Sequence, residues 1–216
     1  MIKAVFIDYT GTMVQEADEN IKKLVGIFIT HSNLKDTQEV MRICWGMIKQ
    51  SEWEDYLDTF IDTDELVDRI LAYCVEHYGL SADLELMHGL WRNSWIHAPL
   101  YPDAEAFFRT CSLPIYVVSN DNLAYLQESM REKGLSPAGI ISAEAVRACK
   151  PHIEMLQEAL RVSGVRPEEA VLIGDSEQSD VACALQAGIT PILLDRSGKL
   201  TRSDIRVIRS LTELEF

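Results

Sequence analysis

Four short apolar runs, each containing valine or isoleucine, recur along the chain and predict buried β-strands. They are Ala4–Ile7, Ile115–Val118, Val171–Ile173 and Pro191–Leu194. The apolar positions in each run are continuous, whereas a strand with one solvent-exposed face would alternate apolar and polar residues. We therefore expect strands that are covered on both faces, as in a parallel sheet flanked by helices.

Helical patterns lie between and beside the later runs, at Asn122–Lys133, Ile153–Val162 and Gln178–Ala187. A glycine follows each pattern closely, where a left-handed residue commonly ends a helix. These glycines are Gly134, Gly164 and Gly188. Strand and helix thus alternate from about residue 110 onward, which predicts an α/β fold with a Rossmann-like, doubly wound parallel sheet.

The segment from about Val14 to Pro99 breaks this alternation, because its apolar residues recur at helical spacing and it contains no strand pattern. Thr63-Asp64-Glu65 has the acidic first turn that is typical of a helix start. We expect an α/β core formed by residues 1–14 and 100–216. Residues 15–99 would form an inserted helical cap, with hinges near Val14 and Pro99.

Composition narrows the range of functions. The 216 residues include 20 Lys and Arg against 34 Asp and Glu, a net charge of −14. Such a surface repels nucleic-acid phosphates, although one local pocket can still bind a small anion. No run approaches the roughly 20 apolar residues of a membrane span. The five cysteines form no Cys-x-x-Cys pair, so we expect free thiols in a soluble, cytoplasmic protein.

Residues that could bind ligands or take part in catalysis follow the predicted strands directly after their ends. The first strand is followed by Asp8-Tyr9-Thr10-Gly11-Thr12, and the second by Ser119-Asn120. Lys150-Pro151 precedes a helix, and Gly174-Asp175-Ser176 follows the third run, with Asp180 five positions beyond Asp175. Parallel strands bring their carboxyl ends to one edge of the sheet. Two carboxylates there could hold Mg²⁺, while a hydroxyl, backbone N–H groups and a lysine could hold phosphate.

Each of these residues alone is ordinary turn or helix-cap chemistry, but the ordered set of four is specific. With these motifs in this order, the chain resembles the haloacid dehalogenase superfamily of hydrolases and phosphotransferases over nearly its whole length. The helical insertion resembles the cap of the subfamily that includes β-phosphoglucomutase-like phosphatases.

The resemblance implies a role for each matching residue. Asp8 would attack phosphorus and become an aspartyl phosphate. Mg²⁺ would be bound by Asp8, the backbone carbonyl of Thr10 and Asp175, with support from Asp180. The transferring phosphoryl group would be held by Ser119 and the N–H of Asn120, and Lys150 would stabilise both that group and Asp8. The implied protein is a Mg²⁺-dependent phosphatase of a small phosphorylated metabolite, either a monomer or a homodimer.

Thr10 departs from the pattern of these phosphatases. They carry a second aspartate at this position, which protonates the leaving alcohol and then deprotonates the attacking water. A threonine hydroxyl cannot exchange a proton near neutral pH, so the catalytic set of Asp8, Thr10 and Lys150 lacks an acid–base group. Glu16, His31 and His97 are hypotheses for a substitute.

Two alternatives stay open. Gly46-Met47-Ile48-Lys49 resembles the surroundings of the Schiff-base lysine in phosphonoacetaldehyde hydrolase, a family that also lacks the second aspartate. Alternatively, the chain is a catalytically weak or silent binding or regulatory module, since fold alone does not establish turnover. Haloacid dehalogenation is disfavoured, because those enzymes resemble Asp-x-Tyr-Gly-Thr, whereas Tyr9 here comes one position earlier and Asp175 would be superfluous.

Overall fold

A six-stranded parallel sheet forms the centre of the protein in the computed structural model, which describes residues 1–200 and 202–216. The strands run in the order β3-β2-β1-β4-β5-β6. Their bounds are β1 Ala4–Ile7, β2 Ile115–Ser119, β3 Gly139–Ser142, β4 Ala170–Gly174, β5 Thr190–Leu194 and β6 Arg206–Ile208. This order places β1 between β2 and β4, so the residues that follow these three strands lie side by side.

The four predicted strands are confirmed as β1, β2, β4 and β5. Strand β1 is fully buried, and its alternate residues enter different apolar clusters. Val5 and Ile7 belong to one cluster, and Ala4 and Phe6 belong to another. The continuous apolar run therefore reflects a strand covered on both faces. Strands β3 and β6 were not predicted.

In the part of the chain that the structure describes, five α-helices accompany the sheet: α5 Pro102–Thr110, α6 Leu123–Glu132, α7 Ala143–Val146, α8 Glu154–Ser163 and α9 Ala182–Gln186. The glycines predicted to end helices, Gly134, Gly164 and Gly188, all have φ between +65° and +70°. The predicted helix Gln178–Ala187 differs in detail. It opens as a π-type turn over Glu177–Val181 and becomes regular only at α9.

Residues between β1 and α5 form four helices: α1 Glu19–His31, α2 Thr37–Glu54, α3 Thr63–Tyr78 and α4 Leu84–His97. Each helix is preceded by an aspartate whose side chain accepts hydrogen bonds from N–H groups of the first turn; these residues are Asp18, Asp36, Asp62 and Asp83. The helices share an apolar cluster of their own that includes Phe28, Ile70 and Met87. The segment in which the sequence has no strand pattern thus contains these four helices, while its role as a cap stays a prediction.

The two chain segments that join the insertion to the sheet pair with each other. Val14 forms an antiparallel bridge with Leu100. On either side of it, the amide of Gln15 donates to the carbonyl of Pro99 at 2.9 Å and the amide of Tyr101 donates to the carbonyl of Met13 at 2.9 Å. The predicted hinge positions therefore lie beside each other.

All five cysteines carry free thiols, as predicted. Across residues 1–200 and 202–216, no helix combines the length and apolar character that a bilayer crossing needs.

Candidate active site at the carboxyl edge of the sheet

The ends of β1, β2 and β4 bring acidic and polar side chains together. Asp8 directly follows β1, and its amide donates to the carbonyl of Ile173 in β4 at 2.9 Å. Ser119 is the last residue of β2, and Asp175 directly follows β4. A cavity of about 460 Å³ opens over this edge. Every predicted site residue lines it: Asp8, Thr10, Ser119, Asn120, Lys150, Asp175 and Asp180.

Lys150 is the buried cation of the site. Its Nζ lies 2.6 Å from Oδ1 of Asp8 and 2.6 Å from Oδ1 of Asp180. Only 2% of the residue is exposed. Burial acts to lower the pKa of Lys150, but the carboxylates of Asp180 and Asp8 together raise it well above its usual range. Lys150 therefore keeps its charge and cannot act as a proton carrier near neutral pH.

Three carboxylates surround a small volume beside Lys150. Asp8, Asp175 and Asp180 each offer one oxygen within 4.8 Å of the others. Burial raises the pKa of each of the three to about 6, and neighbouring carboxylates add to the effect. A bound cation would relieve this repulsion, and an all-oxygen set suits Mg²⁺. The donor set therefore fits the ion that the sequence predicts.

Two glycines let the backbone approach these carboxylates. Gly11 has φ +87°, and a Cβ there would lie 2.7 Å from Oδ2 of Asp175. A Cβ at Gly174 would lie 2.2 Å from Oδ2 of Asp180. The hydroxyl of Thr12 donates to Oδ1 of Asp175 at 2.9 Å. The turn after β1 and the last position of β4 thus need glycine so that the acidic side chains can converge.

The side chain of Asn120 holds the loop that carries Lys150. Oδ1 of Asn120 accepts from the amide of Lys150 at 2.7 Å, and Nδ2 donates to the carbonyl of Lys150 at 3.1 Å. This reciprocal pair connects the end of β2 to the Lys150 loop. The sequence predicted a role for the Asn120 N–H and did not foresee this use of its side chain.

Asp121 is the site residue that the sequence analysis missed. Its Oδ2 accepts from the hydroxyl of Thr10 at 2.8 Å and from the hydroxyl of Ser119 at 2.7 Å. A carboxylate therefore lies against the threonine that replaces the expected aspartate. The available signal was position, since Asp121 follows Ser119-Asn120 directly, but an aspartate before a helix usually indicates a cap.

The other hypotheses for an acid–base group differ in their placement. Glu16 lines the cavity, whereas His31 and His97 are not among the described residues that line it. His97 instead pairs with Glu132 of α6, with Nδ1 2.7 Å from Oε2. The structure thus does not bring the two histidines to the site.

Lys49 lines the same cavity from the helical insertion. Its Nζ lies 2.7 Å from Oε2 of Glu52 and 5.6 Å from the centre of the Trp45 ring. The side chain of Lys49 is 37% exposed. The insertion therefore contributes one cation to the cavity, but that cation already has a carboxylate partner.

The metal-free protein should be more stable at about pH 5 than at about pH 7.5. The pKa of Asp8, Asp175 and Asp180 is about 6 in the folded chain, against an ordinary value of 3.8. The folded state therefore binds more protons between these values, and its stability rises as the pH falls through 6. One such group contributes at most about 3 kcal/mol.

Thermal unfolding in the presence of a chelator measures this effect. Excess Mg²⁺ provides the control, because a cation favours the ionised carboxylates and should reduce or reverse the trend. A chelated protein whose melting temperature falls steadily from pH 7.5 to pH 5 would contradict the raised pKa values.

Comparison with known proteins agrees with the fold and with hydrolase chemistry. A model of the family described as haloacid dehalogenase-like hydrolase matches residues 2–188. Phosphoserine phosphatase from Thermus thermophilus is 36% identical over 104 residues, covering 45% of this chain and 41% of that protein. Glyceraldehyde 3-phosphate phosphatase from Methanothermobacter thermautotrophicus is 29% identical over 86 residues, covering 35% of this chain and 37% of that protein. The matches thus span about two fifths of either relative.

Solved structures share the architecture at low identity. The L-2-haloacid dehalogenase from Xanthobacter autotrophicus superposes with a TM-score of 0.77 and 19% identity, covering 99% of this chain and 96% of that chain. At this identity the likeness shows the fold alone.

Proposed function

The chain belongs to the haloacid dehalogenase-like hydrolases, and from that membership we propose that it is a Mg²⁺-dependent phosphatase of a small phosphorylated metabolite. One observation carries the proposal: Asp8 pairs with the buried ammonium of Lys150, and its carboxylate lies within 4.8 Å of those of Asp175 and Asp180. A nucleophilic carboxylate beside a permanent cation and an oxygen-rich cation site suits phosphoryl transfer. The relatives that carry phosphatase names support the same chemistry. Placement in the β-phosphoglucomutase-like subfamily remains a prediction.

Asp8 would form and then lose a bond to phosphorus. Its carboxylate attacks the phosphorus atom, the bond to the leaving oxygen breaks, and an aspartyl phosphate results. Water then attacks the same phosphorus, which releases inorganic phosphate and regenerates the carboxylate. Lys150 and the hydroxyl of Ser119 stabilise the phosphoryl oxygens throughout.

Asp8, Asp175 and the backbone carbonyl of Thr10 would hold Mg²⁺, with Asp180 in support. When bound, the ion would offset the negative charge that otherwise repels a phosphate dianion from Asp8. Asp180 also fixes Lys150, since the two are 2.6 Å apart and both are buried. Its second oxygen accepts from the amide of Ser176 at 3.1 Å.

Asp121 is the group that we propose for the proton transfers. It lines the cavity, and its Oδ2 accepts from Thr10 at the position where related phosphatases carry their second aspartate. A protonated Asp121 would give its proton to the leaving alcohol. The resulting carboxylate would then take a proton from the attacking water.

Asp121→Asn tests this role with little change in shape, because asparagine can still accept from Thr10 and Ser119. We expect turnover of alkyl phosphates to fall by about 10²–10⁴-fold, the usual contribution of acid–base help. For p-nitrophenyl phosphate, the rate of phosphoryl transfer to Asp8 should fall much less, because its leaving group needs no proton. Equal losses for both substrates, measured as single-turnover rates, would argue against a proton transfer by Asp121.

The helices α1–α4 would act as a cap that closes over the site and selects the substrate. Supporting this, residues of α2, α3 and α4 line the same cavity as Asp8, among them Lys49, Leu66 and Trp95. The paired segments at Val14 and Leu100 would serve as the hinge.

Phosphate release from p-nitrophenyl phosphate and acetyl phosphate, with and without Mg²⁺, tests the proposed function. Both substrates have good leaving groups and so test Asp8 and the metal site without demanding an acid. We expect release that depends on Mg²⁺. No release from either substrate would favour a silent binding module or the phosphonate reaction.

Phosphonate hydrolysis through Lys49 is the second candidate function. The observation that favours it is that Lys49 lines the same cavity as Asp8. The Nζ of Lys49 lies 2.7 Å from Oε2 of Glu52, however, so a Schiff base at Lys49 would first have to break this contact. Borohydride trapping of phosphonoacetaldehyde on Lys49 would support this candidate. Under the phosphatase proposal, no adduct should form.

Haloacid dehalogenation has less support, although solved dehalogenases share the fold. Dehalogenases resemble this chain in the nucleophilic aspartate but need no metal. The half-buried Asp175 and the buried Asp180, which converge on Asp8, would then have no role in the reaction.

A further inference from the structure

A segment of the insertion reaches across to the core and contacts the loop that carries Lys150. This segment, residues 53–60, comprises the last two residues of α2 and most of the connection to α3, and is called the arm here. The amide of Leu57 donates to the carbonyl of Arg147 at 2.6 Å. In return, Nε of Arg147 donates to the carbonyl of Leu57 at 3.0 Å. The arm and the core therefore make a reciprocal contact that involves main chain on both sides.

A second contact joins the arm to His152. The His152 ring stacks on Tyr56, with ring centres 4.1 Å apart and planes inclined by 14°. Nε2 of His152 lies 3.1 Å from the carbonyl oxygen of Trp53, a hydrogen-bond distance. Aromatic stacking and this polar contact fix the same imidazole ring from two directions.

These two contacts flank Lys150 on both sides in sequence. Arg147 precedes Lys150 by three residues, and His152 follows it by two. Asn120 holds the Lys150 main chain from the sheet side, through bonds to its amide and its carbonyl. The Lys150 loop is therefore held between the end of β2 and the arm.

The backbone at the first contact is unusual on both partners. Leu57 has φ +54° and Arg147 has φ +59°. They are the only residues other than glycine with positive φ among residues 1–200 and 202–216. Side chains with a Cβ disfavour this region, and it persists where surrounding contacts determine the conformation. Two such residues that meet across the insertion and the core indicate a specified contact.

From this arrangement we infer that the arm sets the position of Lys150, so that its ammonium lies correctly between Asp8 and Asp180 when the insertion is seated on the core. Tyr56 and Arg147 are then positioning residues that act through the Lys150 loop. Only the expected effect on turnover rests on the proposed function. The position of the loop can be followed without any substrate.

Hydrogen exchange at the Lys150 amide tests the placement directly. That amide donates to Oδ1 of Asn120 at 2.7 Å, so a loosened loop should expose it more often. We expect Tyr56→Ala and Arg147→Ala to speed its exchange by about tenfold, and the double variant by more. The amides of β2 should exchange as in the wild type.

Two variants on the arm serve as matched controls. Tyr56→Phe keeps the ring that stacks on His152 and should restore the wild-type exchange rate. Asp58→Ala alters the arm at an exposed residue whose side chain makes no hydrogen bond to the residues that the structure describes, and should also leave the rate unchanged. A Lys150 amide that exchanges at the wild-type rate in the double variant overturns the inference, whether or not the protein is a phosphatase.

Steady-state kinetics then show whether Tyr56 and Arg147 position Lys150 or only stabilise the fold. With p-nitrophenyl phosphate, Tyr56→Ala and Arg147→Ala should lower kcat by about ten- to hundredfold and change KM by about twofold or less. A raised KM with wild-type kcat would mean that the arm binds substrate, which contradicts the inference. A lower melting temperature with unchanged kcat would mean a structural role alone and would contradict it too. If the wild type releases no phosphate, the proposed function fails and the exchange measurement still decides the placement of the loop.

Discussion

Asp8→Asn is expected to abolish phosphate release, with a loss of at least about 10⁴-fold in kcat. Asparagine keeps the shape of the side chain but cannot attack phosphorus to form an acyl phosphate. The fold should survive, because the change removes one charge from a crowded acidic site. Phosphate release from p-nitrophenyl phosphate with saturating Mg²⁺ measures the effect.

Asp195→Asn is a suitable control for this substitution. Asp195 is also a buried acid directly after a strand, in this case β5, but it does not line the cavity. Its Oδ1 accepts from the amides of Ser197 and Gly198. The control should lose some stability and retain its kcat. Residual turnover of Asp8→Asn within about tenfold of the wild type would contradict a covalent mechanism.

Lys150→Met should lower both kcat and the free energy of unfolding. Removing the ammonium leaves Asp8 and Asp180 buried without their shared partner, and breaking a buried pair in this way costs about 3–5 kcal/mol. Urea unfolding in a chelator measures the loss. It should be smaller near pH 5 than near pH 7.5, because protonated carboxyls no longer need the ammonium.

Lys22→Met is the matched control for the lost cation. Lys22 pairs with Glu19 on the exposed surface of α1, where solvent screens the pair, so its loss should change the stability little. The double variant Lys150→Met with Asp180→Asn should recover part of the stability lost in the single variant. If Lys150→Met unfolds within about 1 kcal/mol of the wild type, the buried ion triad does not stabilise the fold as described.

The sequence predicted the central strands because burial on both faces leaves a continuous apolar run, as in β1 and β4. It missed β3 and β6 for a physical reason: both lie at the edges of the sheet. Gly139–Ser142 is a four-residue strand with a glycine start and a half-buried pattern, and Arg206–Ile208 has one buried residue in three. Edge strands of this length have no distinctive pattern.

The candidate site was predictable where its residues directly follow strands, as Asp8 and Asp175 do. Lys150 was predicted by resemblance, since nothing local places a residue 30 positions after Asn120 beside Asp8. Asp121 was missed because its role depends on Thr10, which lies 111 positions earlier. Contacts between distant segments are set by tertiary packing and not by local pattern.

The contact between the arm and the core is still less predictable from local sequence pattern. Leu57 and Arg147 lie 90 positions apart, and neither residue type favours a left-handed backbone. Their conformations follow from the contact itself. No periodicity along the chain could have indicated that the insertion reaches the Lys150 loop.

The most direct test of the proposed phosphoryl transfer is to trap phosphate on Asp8. The protein would be mixed with acetyl phosphate and Mg²⁺, quenched in acid during the first turnover, and digested for mass spectrometry. We expect the peptide that contains Asp8 to gain the mass of one phosphoryl group, and the same peptide from Asp8→Asn to gain nothing. Phosphate released by the wild type without any adduct on that peptide, or an adduct on a different residue, would contradict Asp8 as the nucleophile.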